Sequence, residues 1–208
     1  GLLIGLIIGA IRAIKVEERD SLISKIVKRV VWFITTVYIE IFRGTPMMVQ
    51  GAFIYYGLKN IVHWSPFTAG GFVITINTGA YMAEIIRSGI QAVDKGQSEA
   101  ARSIGMNSVQ TMLYIVLPQA IKNSFPAIGN EFVINIKDSS VLNVIAVTEL
   151  FYQAKSVAGS LYAFVPTYFV VALIYLCLTF PTTRILNYIE KRMNRKKAIV
   201  FDQEGSVQ

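Results

Sequence analysis

The 208 residues include 53% hydrophobic and only 16% charged side chains, and the mean hydropathy is +0.50. One soluble domain of this length could not bury that much apolar surface, so composition favours a protein of the lipid bilayer. The net charge of +7 would also suit a nucleic-acid binder. However, the basic residues flank apolar segments instead of forming one basic face interleaved with aromatics, which argues against nucleic acid.

Four apolar segments reach or approach the roughly 20 residues that a helix needs to cross about 30 Å of hydrocarbon. A fifth, at the N-terminus, is too short to span, and we expect it to be the end of an incomplete first helix. A cleavable signal peptide is disfavoured because there is no basic n-region and no small-residue cleavage site followed by a soluble domain. The predicted fold is all-α, a polytopic membrane protein with about five core transmembrane helices. The segments are Gly1 to Ile11, Pro46 to Val62, Phe67 to Ile90, Ala127 to Leu150 and Phe164 to Phe180.

The placement of basic residues predicts the orientation. Of the 20 Lys and Arg residues, seven lie within residues 12–43, four within 87–122 and six within 184–197. By the positive-inside rule these three regions are cytoplasmic. We therefore predict a membrane domain over residues 1–190 and a basic cytoplasmic tail over 191–208.

A basic amphipathic stretch precedes the second span. From Leu22 to Val37, apolar residues recur every three or four positions beside Lys25, Lys28 and Arg29. This pattern is typical of a helix at the membrane surface, where basic side chains meet anionic lipid.

The most specific pattern lies between two apolar segments. The tripeptide Glu99–Ala101 is followed by Gly105, and a second helical pattern then runs to Pro118. Ser98 is placed to cap a short helix, whose small residues let another surface approach and which Gly105 would end. Pro118 is expected to interrupt the second pattern. The sequence predicts a helix-turn-helix loop over residues 95–122, and a helical hairpin without a partner is the alternative.

This spacing resembles the cytoplasmic "EAA" loop in permease subunits of bacterial ATP-binding-cassette (ABC) importers, where a short helix sits in a groove on the ATPase subunit. Two further stretches, Tyr38 to Pro46 and Gly79 to Arg87, resemble the branch for polar amino acids of the histidine, glutamine and arginine type. If the resemblance holds, the residues that couple to the ATPase are Glu99, Ala100, Ala101 and Gly105.

The resemblance also implies partners and a location. The chain would be a multi-pass subunit of the bacterial cytoplasmic membrane, paired with an identical or different second permease chain and two ATPase subunits. An extracytoplasmic amino-acid-binding protein or domain would deliver the ligand. ATP and Mg would bind to the ATPase subunits.

The sequence contains none of the enzyme motifs considered, which are those for ATP hydrolysis, metal binding and a catalytic triad. No G-x-x-x-x-G-K-S/T phosphate loop occurs, so we do not expect this chain to hydrolyse ATP alone. One His and one Cys exclude a His/Cys metal cluster and an intrachain disulfide, and no credible catalytic triad can be built around His63. We expect a transport subunit with no cofactor or metal of its own.

Polar side chains form stripes in two of the predicted spans. One stripe begins at Asn77 and the other contains Asn135 and Asp138. An isolated charge at the bilayer centre costs about 2.5–3.5 kcal/mol, so such residues should face protein or a hydrated path. An interhelical polar clamp is an equally supported interpretation of the second stripe. The candidates for a substrate path are Asn77, Thr78, Tyr81, Asn135, Lys137, Asp138 and Ser139.

Two pairs of opposite charge lie three residues apart: Glu40 with Arg43, and Glu84 with Arg87. Such neighbours share one face of a helix and can form an ion pair. We expect both pairs to have structural or gating roles.

The predicted mechanism is alternating access, driven by the ATPase through the loop from Glu99 to Gly105. A passive channel or secondary transporter could use the same stripes but would move a small polar solute without ATP. A membrane scaffold would leave buried polar residues such as Asn77 and Lys137 unexplained. The sequence leaves open which amino acid is carried.

Overall fold

The computed structural model describes residues 1–14 and 21–204, with side chains to residue 193. These residues form helices and connecting segments without a strand, which agrees with the all-α prediction. A π-helical turn (Thr111–Val116) precedes α7, and a 3₁₀ helix (Ser139–Ile145) follows it. The α-helices are α1 (Leu2–Ala13), α2 (Leu22–Gly44), α3 (Met47–Val62), α4 (Pro66–Gln91), α5 (Lys95–Ser103), α6 (Ser108–Gln110), α7 (Leu117–Asp138), α8 (Leu150–Leu161) and α9 (Phe164–Glu204).

Helix α4 lies at the centre and packs against α1, α2, α3 and α7. Its N-terminus is defined locally, because Ser65 accepts a hydrogen bond from the Thr68 amide and Pro66 occupies the first turn. A helix over the segment predicted from Phe67 to Ile90 is therefore confirmed, to within one residue at each end.

Small residues bring α1 close to α4. A Cβ atom added at Gly5 would lie 2.2 Å from Cβ of Met82, and one at Gly9 would lie 2.9 Å from Cβ of Ile86. Small residues at helix contacts in membranes allow backbones to approach in this way. Gly5 faces Met82, and Gly9, one turn later, faces Ile86, one turn later in α4. The two helices therefore run in the same direction.

Helices α2 and α3 are separated by a short break. Thr45 is extended, and Pro46 precedes the first turn of α3. The basic amphipathic stretch is the first part of α2, which continues to Gly44. Helix α3 has only 16 residues, fewer than the roughly 20 of a full span. Asn77, near the middle of α4, bonds to groups on both sides of the break, which therefore lies level with the middle of α4.

The prediction of one span from Ala127 to Leu150 is wrong. Helix α7 starts ten residues earlier, at Leu117, and ends at Asp138. The chain remains helical through Pro118, which lies where the π-helical turn changes to the first turn of α7, a position that tolerates proline. After Asp138 the chain narrows to the 3₁₀ helix, where Asn143 donates to the Ser140 carbonyl at 2.7 Å. Polar side chains of this kind compete with the α-helical backbone pattern.

Helix α9 starts at Phe164, as predicted, but continues past Phe180 through Pro181. Within the described residues, Phe164–Met193 is the one stretch long and apolar enough to cross a membrane by hydropathy, and α1 is a shorter apolar helix. Helix α4 has 26 residues, but it carries polar side chains such as Asn77, Glu84 and Arg87, which lower its mean hydropathy.

Candidate functional site

An open cavity of about 420 Å³ lies between α4 and α7, with the end of α2 at its edge. Where the two long helices touch, the Ser124 hydroxyl donates to the Ile85 carbonyl at 3.1 Å. The lining includes side chains of both charges together with neutral hydrogen-bonding groups. The polar residues of the lining are Arg43, Tyr81, Glu84, Ser88, Asn123 and Ser124.

An ionic cluster borders the cavity. Glu84 and Arg87 form the i, i+3 pair for which the sequence is spaced: Arg87 Nε donates to Glu84 Oε2 at 2.9 Å, and a guanidinium NH2 group donates to Oε1. Arg12 of α1 lies with Nη1 3.5 Å from Glu84 Oε2. Sequence reasoning missed Arg12, since no local pattern connects it to α4. Two guanidinium groups therefore share one carboxylate.

Arg43 contributes a further positive charge at the cavity. Its guanidinium carbon lies 5.5 Å from the centre of the Tyr81 ring, a cation–π arrangement. Within the described part of the chain no ion pair joins Arg43 to Glu40, which is exposed. The spacing of these two residues allowed a pair, but the structure directs Arg43 to Tyr81.

A pair of buried amides holds the break between α2 and α3 against α4. Asn77 is 8% exposed and donates from Nδ2 to Gln50 Oε1 at 2.8 Å and to the Phe42 carbonyl at 3.2 Å. Gln50 is 6% exposed and donates to the Thr45 carbonyl at 2.8 Å. Sequence reasoning missed Gln50, although a polar residue early in an apolar segment was the available signal.

A second polar connection joins α4 to α7. The Thr78 hydroxyl donates to Asn135 Oδ1 at 2.7 Å, and Asn135 Nδ2 donates to the Glu131 carbonyl at 2.8 Å. Glu131 is buried beside it. The polar side chains of the second stripe that point towards α4 are thus bonded to protein.

The polar end of α7 lies outside the cavity. Lys137 and Asp138 are exposed, and no ion pair joins them among the residues that the structure describes. The Ser139 hydroxyl donates to the Ile136 carbonyl at 2.9 Å. Of the seven predicted substrate-path residues, Tyr81 lines the cavity.

Helix α5 begins earlier than the sequence predicts. Asp94, not Ser98, is the cap: its Oδ1 accepts a hydrogen bond from the Gly96 amide at 2.7 Å. Glu99 therefore lies in the middle of the helix instead of its first turn. The predicted end is confirmed, because Gly105 follows the helix with φ of +87°.

The end of α5 is a Schellman motif. The Met106 amide donates to the Ala101 carbonyl at 3.1 Å, and the Gly105 amide donates to the Arg102 carbonyl at 3.0 Å. No atom lies within 4 Å of a Cβ added at Gly105, and Ile104 is 78% exposed. This end of the helix is therefore open to a partner.

The opposite face of α5 is attached to the protein. Ala101 is buried, and α5 packs against the π-helical turn that leads into α7. Gln119 of α7 donates from Nε2 to Gln97 Oε1 at 3.2 Å. Glu99 and Ala100 remain exposed, so α5 has one face on the protein and one face free.

Comparison with known proteins assigns the class. The chain is 45% identical over 161 residues to the probable glutamine ABC transporter permease protein GlnM of Bacillus subtilis, covering 77% of this chain and 74% of that protein. It is 38% identical over 163 residues to the glutamine transport system permease protein GlnP of Escherichia coli K12, with the same shares of each chain. A solved structure, "Crystal structure of an amino acid ABC transporter with histidines", matches with a TM-score of 0.78 and 40% identity, covering 92% of this chain and 84% of that one.

The helical fold and these relatives define a membrane permease of the ABC importer class, a transport component and not an enzyme, as the sequence predicted. Residues 1–195 match the family described as "Binding-protein-dependent transport system inner membrane component", and the chain belongs to that family.

Proposed function

We propose that this chain imports a polar amino acid through the cavity between α4 and α7 by alternating access. The observation that carries the proposal is the lining, in which Arg43 and Glu84 place both signs of charge beside neutral hydrogen-bonding groups. A free amino acid carries a carboxylate and an ammonium group, so a lining of mixed charge complements it. The relatives named for glutamine and the structure named for histidines support this substrate class.

The proposed assembly contains two ATPase subunits, a second permease chain and an extracytoplasmic amino-acid-binding protein or domain in the bacterial cytoplasmic membrane. ATP and Mg bind to the ATPase subunits. The family description, which includes dependence on a binding protein, supports this assembly. The basic residues near the ends of the spans favour α5 on the cytoplasmic side and contact with anionic lipid there.

The proposed coupling element is the free face and end of α5. The residues assigned to it are Glu99, Ala100 and Gly105. Ala101, the fourth coupling residue that the resemblance implies, is buried on the face of α5 that packs against the protein, so it supports the helix and does not lie on the free face. Their helix is connected to α7 through Gln97 and Gln119. A displacement of α5 by the ATPase would therefore reach α7, which supplies Asn123 and Ser124 to the cavity wall.

The predicted substrate-path residues divide into three groups by position. Tyr81 lines the cavity and is placed to contact substrate. Asn77, Thr78 and Asn135 hold helices together at the depth of the path. Lys137, Asp138 and Ser139 lie at the far end of α7, and we assign them to the external approach.

Substitution of Gly105 tests the coupling. Any L-residue is strained at φ of +87°, at a cost of about 1–3 kcal/mol, so Gly105→Ala and Gly105→Leu share the strain and differ in bulk. In liposomes containing the full complex, Gly105→Leu should lower amino-acid uptake at least tenfold and retain ATP hydrolysis, because the side chain would keep the ATPase surface away. Gly105→Ala should lower uptake less.

Unchanged uptake by Gly105→Leu would reject this coupling site. An amino-acid panel, measured as substrate-stimulated ATP hydrolysis, identifies the ligand in the same preparation. Uptake that proceeds without ATP would favour the alternative of a channel or secondary transporter.

A further inference from the structure

The break between α2 and α3 leaves backbone carbonyls at the end of α2 without the helical partners that a continuous helix would supply. Phe42 and Thr45 carry two of these groups, close to the middle depth of α4. An unpaired carbonyl at such a depth is costly, because water is scarce and lipid offers no donor. Something in the protein must therefore bond to them.

Gln50 supplies hydrogen bonds to both of these carbonyls. Its Nε2 lies 3.0 Å from the Phe42 carbonyl, 2.8 Å from the Thr45 carbonyl and 2.8 Å from the Thr45 hydroxyl. Gln50 is one turn into α3, so its side chain reaches back across the break to the end of the preceding helix. The two helices are thereby held at one angle.

Asn77 connects that arrangement to α4. Its Nδ2 donates both to Gln50 Oε1 at 2.8 Å and to the Phe42 carbonyl at 3.2 Å. Both amides are more than nine-tenths buried, so water does not compete for these bonds. We call the pair Gln50 and Asn77 the amide clamp.

The amide clamp lies next to a residue of the cavity. Both of its amides bond to the Phe42 carbonyl, and the next residue is Arg43, whose guanidinium carbon is 5.5 Å from the Tyr81 ring centre. Holding that carbonyl holds the last turn of α2, from which the Arg43 side chain departs. Without the bonds, the turn would be free to fray and the cation would lose its place beside Glu84.

We propose that Gln50 and Asn77 are positioning residues that hold Arg43 at the cavity, where its guanidinium binds the carboxylate of the substrate amino acid. The inference rests on the proposed function and adds a role for the break itself. Arginine suits a carboxylate because its planar group donates two parallel hydrogen bonds, which makes its orientation matter.

The test is a double-substitution cycle on the complete complex of permease and ATPase subunits, with binding of radiolabelled glutamine as the readout. Gln50→Met keeps the side-chain length and removes the donor, while Arg43→Gln removes the charge. Loss of a charge-assisted contact corresponds to about tenfold or more in affinity. We expect each single substitution to weaken binding by about this factor, and Gln50→Met to change it less than twofold when Arg43 is already Gln.

Tyr38→Phe is the matched control. The Tyr38 hydroxyl donates to the Ile76 carbonyl, so its removal also breaks one bond between α2 and α4 but leaves the Phe42 carbonyl untouched. It should lower thermal stability with less than a twofold effect on glutamine binding. If Gln50→Met does not assemble, Asn77→Ser gives a milder loss, since Gln50 keeps its own bonds to Phe42 and Thr45.

Equal effects of Gln50→Met with and without Arg43 would show that the amide clamp is only structural and would overturn this inference while the proposed function stands. Glutamine binding that is unchanged by both Gln50→Met and Asn77→Ser would also overturn the positioning role and leave the proposed function standing. If the unsubstituted complex neither binds nor transports any amino acid of a full panel, the proposed function fails, and the positioning role fails with it.

Discussion

Helices α4 and α9 are both long, but α4 has charged and polar side chains whereas the first half of α9 has no charged side chain. Helix α4 carries Asn77, Glu84 and Arg87 and is covered by four other helices. Helix α9 has no charged residue between Phe164 and Thr183, and only 6% of its most apolar window is buried. Polar groups are costly in hydrocarbon, so they are retained where protein supplies their partners. Coverage by neighbouring helices, not length, therefore decides which helix can carry the site.

The largest expected effect comes from adding one methyl group to the covered helix. A Cβ at Gly89 would lie 1.9 Å from Ser124 Oγ and 2.7 Å from the Ala120 carbonyl, so Gly89→Ala must push α7 away from α4. We expect a loss of about 3 kcal/mol in stability, at the upper end for overpacking. The thermal unfolding midpoint of the detergent-purified complex measures it.

Gly71 provides the control within the same helix. It has no atom within 4 Å of an added Cβ, so Gly71→Ala should stabilise by about 0.5–1 kcal/mol through the helix preference of alanine. Equal midpoints for the two variants would show that α4 is not packed against α7 at Gly89 as described.

A smaller effect is expected at the ionic cluster. Glu84→Gln removes the carboxylate shared by Arg87 and Arg12 and leaves two guanidinium groups side by side. The Glu84 side chain is 23% exposed, so we expect a loss of about 1–3 kcal/mol, between the values for surface and fully buried pairs. Chemical or thermal unfolding of the purified complex gives the difference.

Glu40→Gln is the matched substitution on an exposed side chain, and it should stay within about 0.5 kcal/mol. If both variants lose the same stability, the cluster contributes nothing beyond a general charge effect.

The smallest effect is expected on α9. Leu178 is 50% exposed, and lipid tails would replace the protein contacts that Leu178→Ala removes. We expect a change within about 0.5 kcal/mol in stability in lipid nanodiscs. A loss above about 1 kcal/mol would instead indicate that a second chain covers this face. Helix α9 would then be covered by protein, as α4 is.

Local signals explain which helix boundaries could be predicted. Ser65 and Pro66 mark the start of α4, and Gly105 marks the end of α5 because it adopts a positive φ. Hydropathy failed between Ala127 and Leu150, since it registers apolar side chains and not the polar first turns of α7. The change to a 3₁₀ helix after Asp138 likewise leaves no mark on average hydropathy.

In the candidate site, too, contacts between near neighbours in the chain could be predicted and contacts between distant residues could not. The Glu84–Arg87 pair was predictable because it spans less than one helical turn. Gln50 and Asn77 are 27 residues apart, so no spacing rule connects their amides. The spacing of Arg43 and Glu40 allowed an ion pair within one helix, but Arg43 lies against Tyr81 of another helix.

The order of residues by itself determined that this chain is helical, belongs in a bilayer and carries a short helix that ends before Gly105, because hydropathy, charge placement and the backbone freedom of glycine act over a few residues. The tertiary structure showed that Asp94 caps that helix and that its end is exposed. Only the tertiary structure decided which polar side chains hold helices together and which line the cavity. Those outcomes depend on contacts between α1, α2, α4 and α7, whose partners are distant along the chain and are selected by packing.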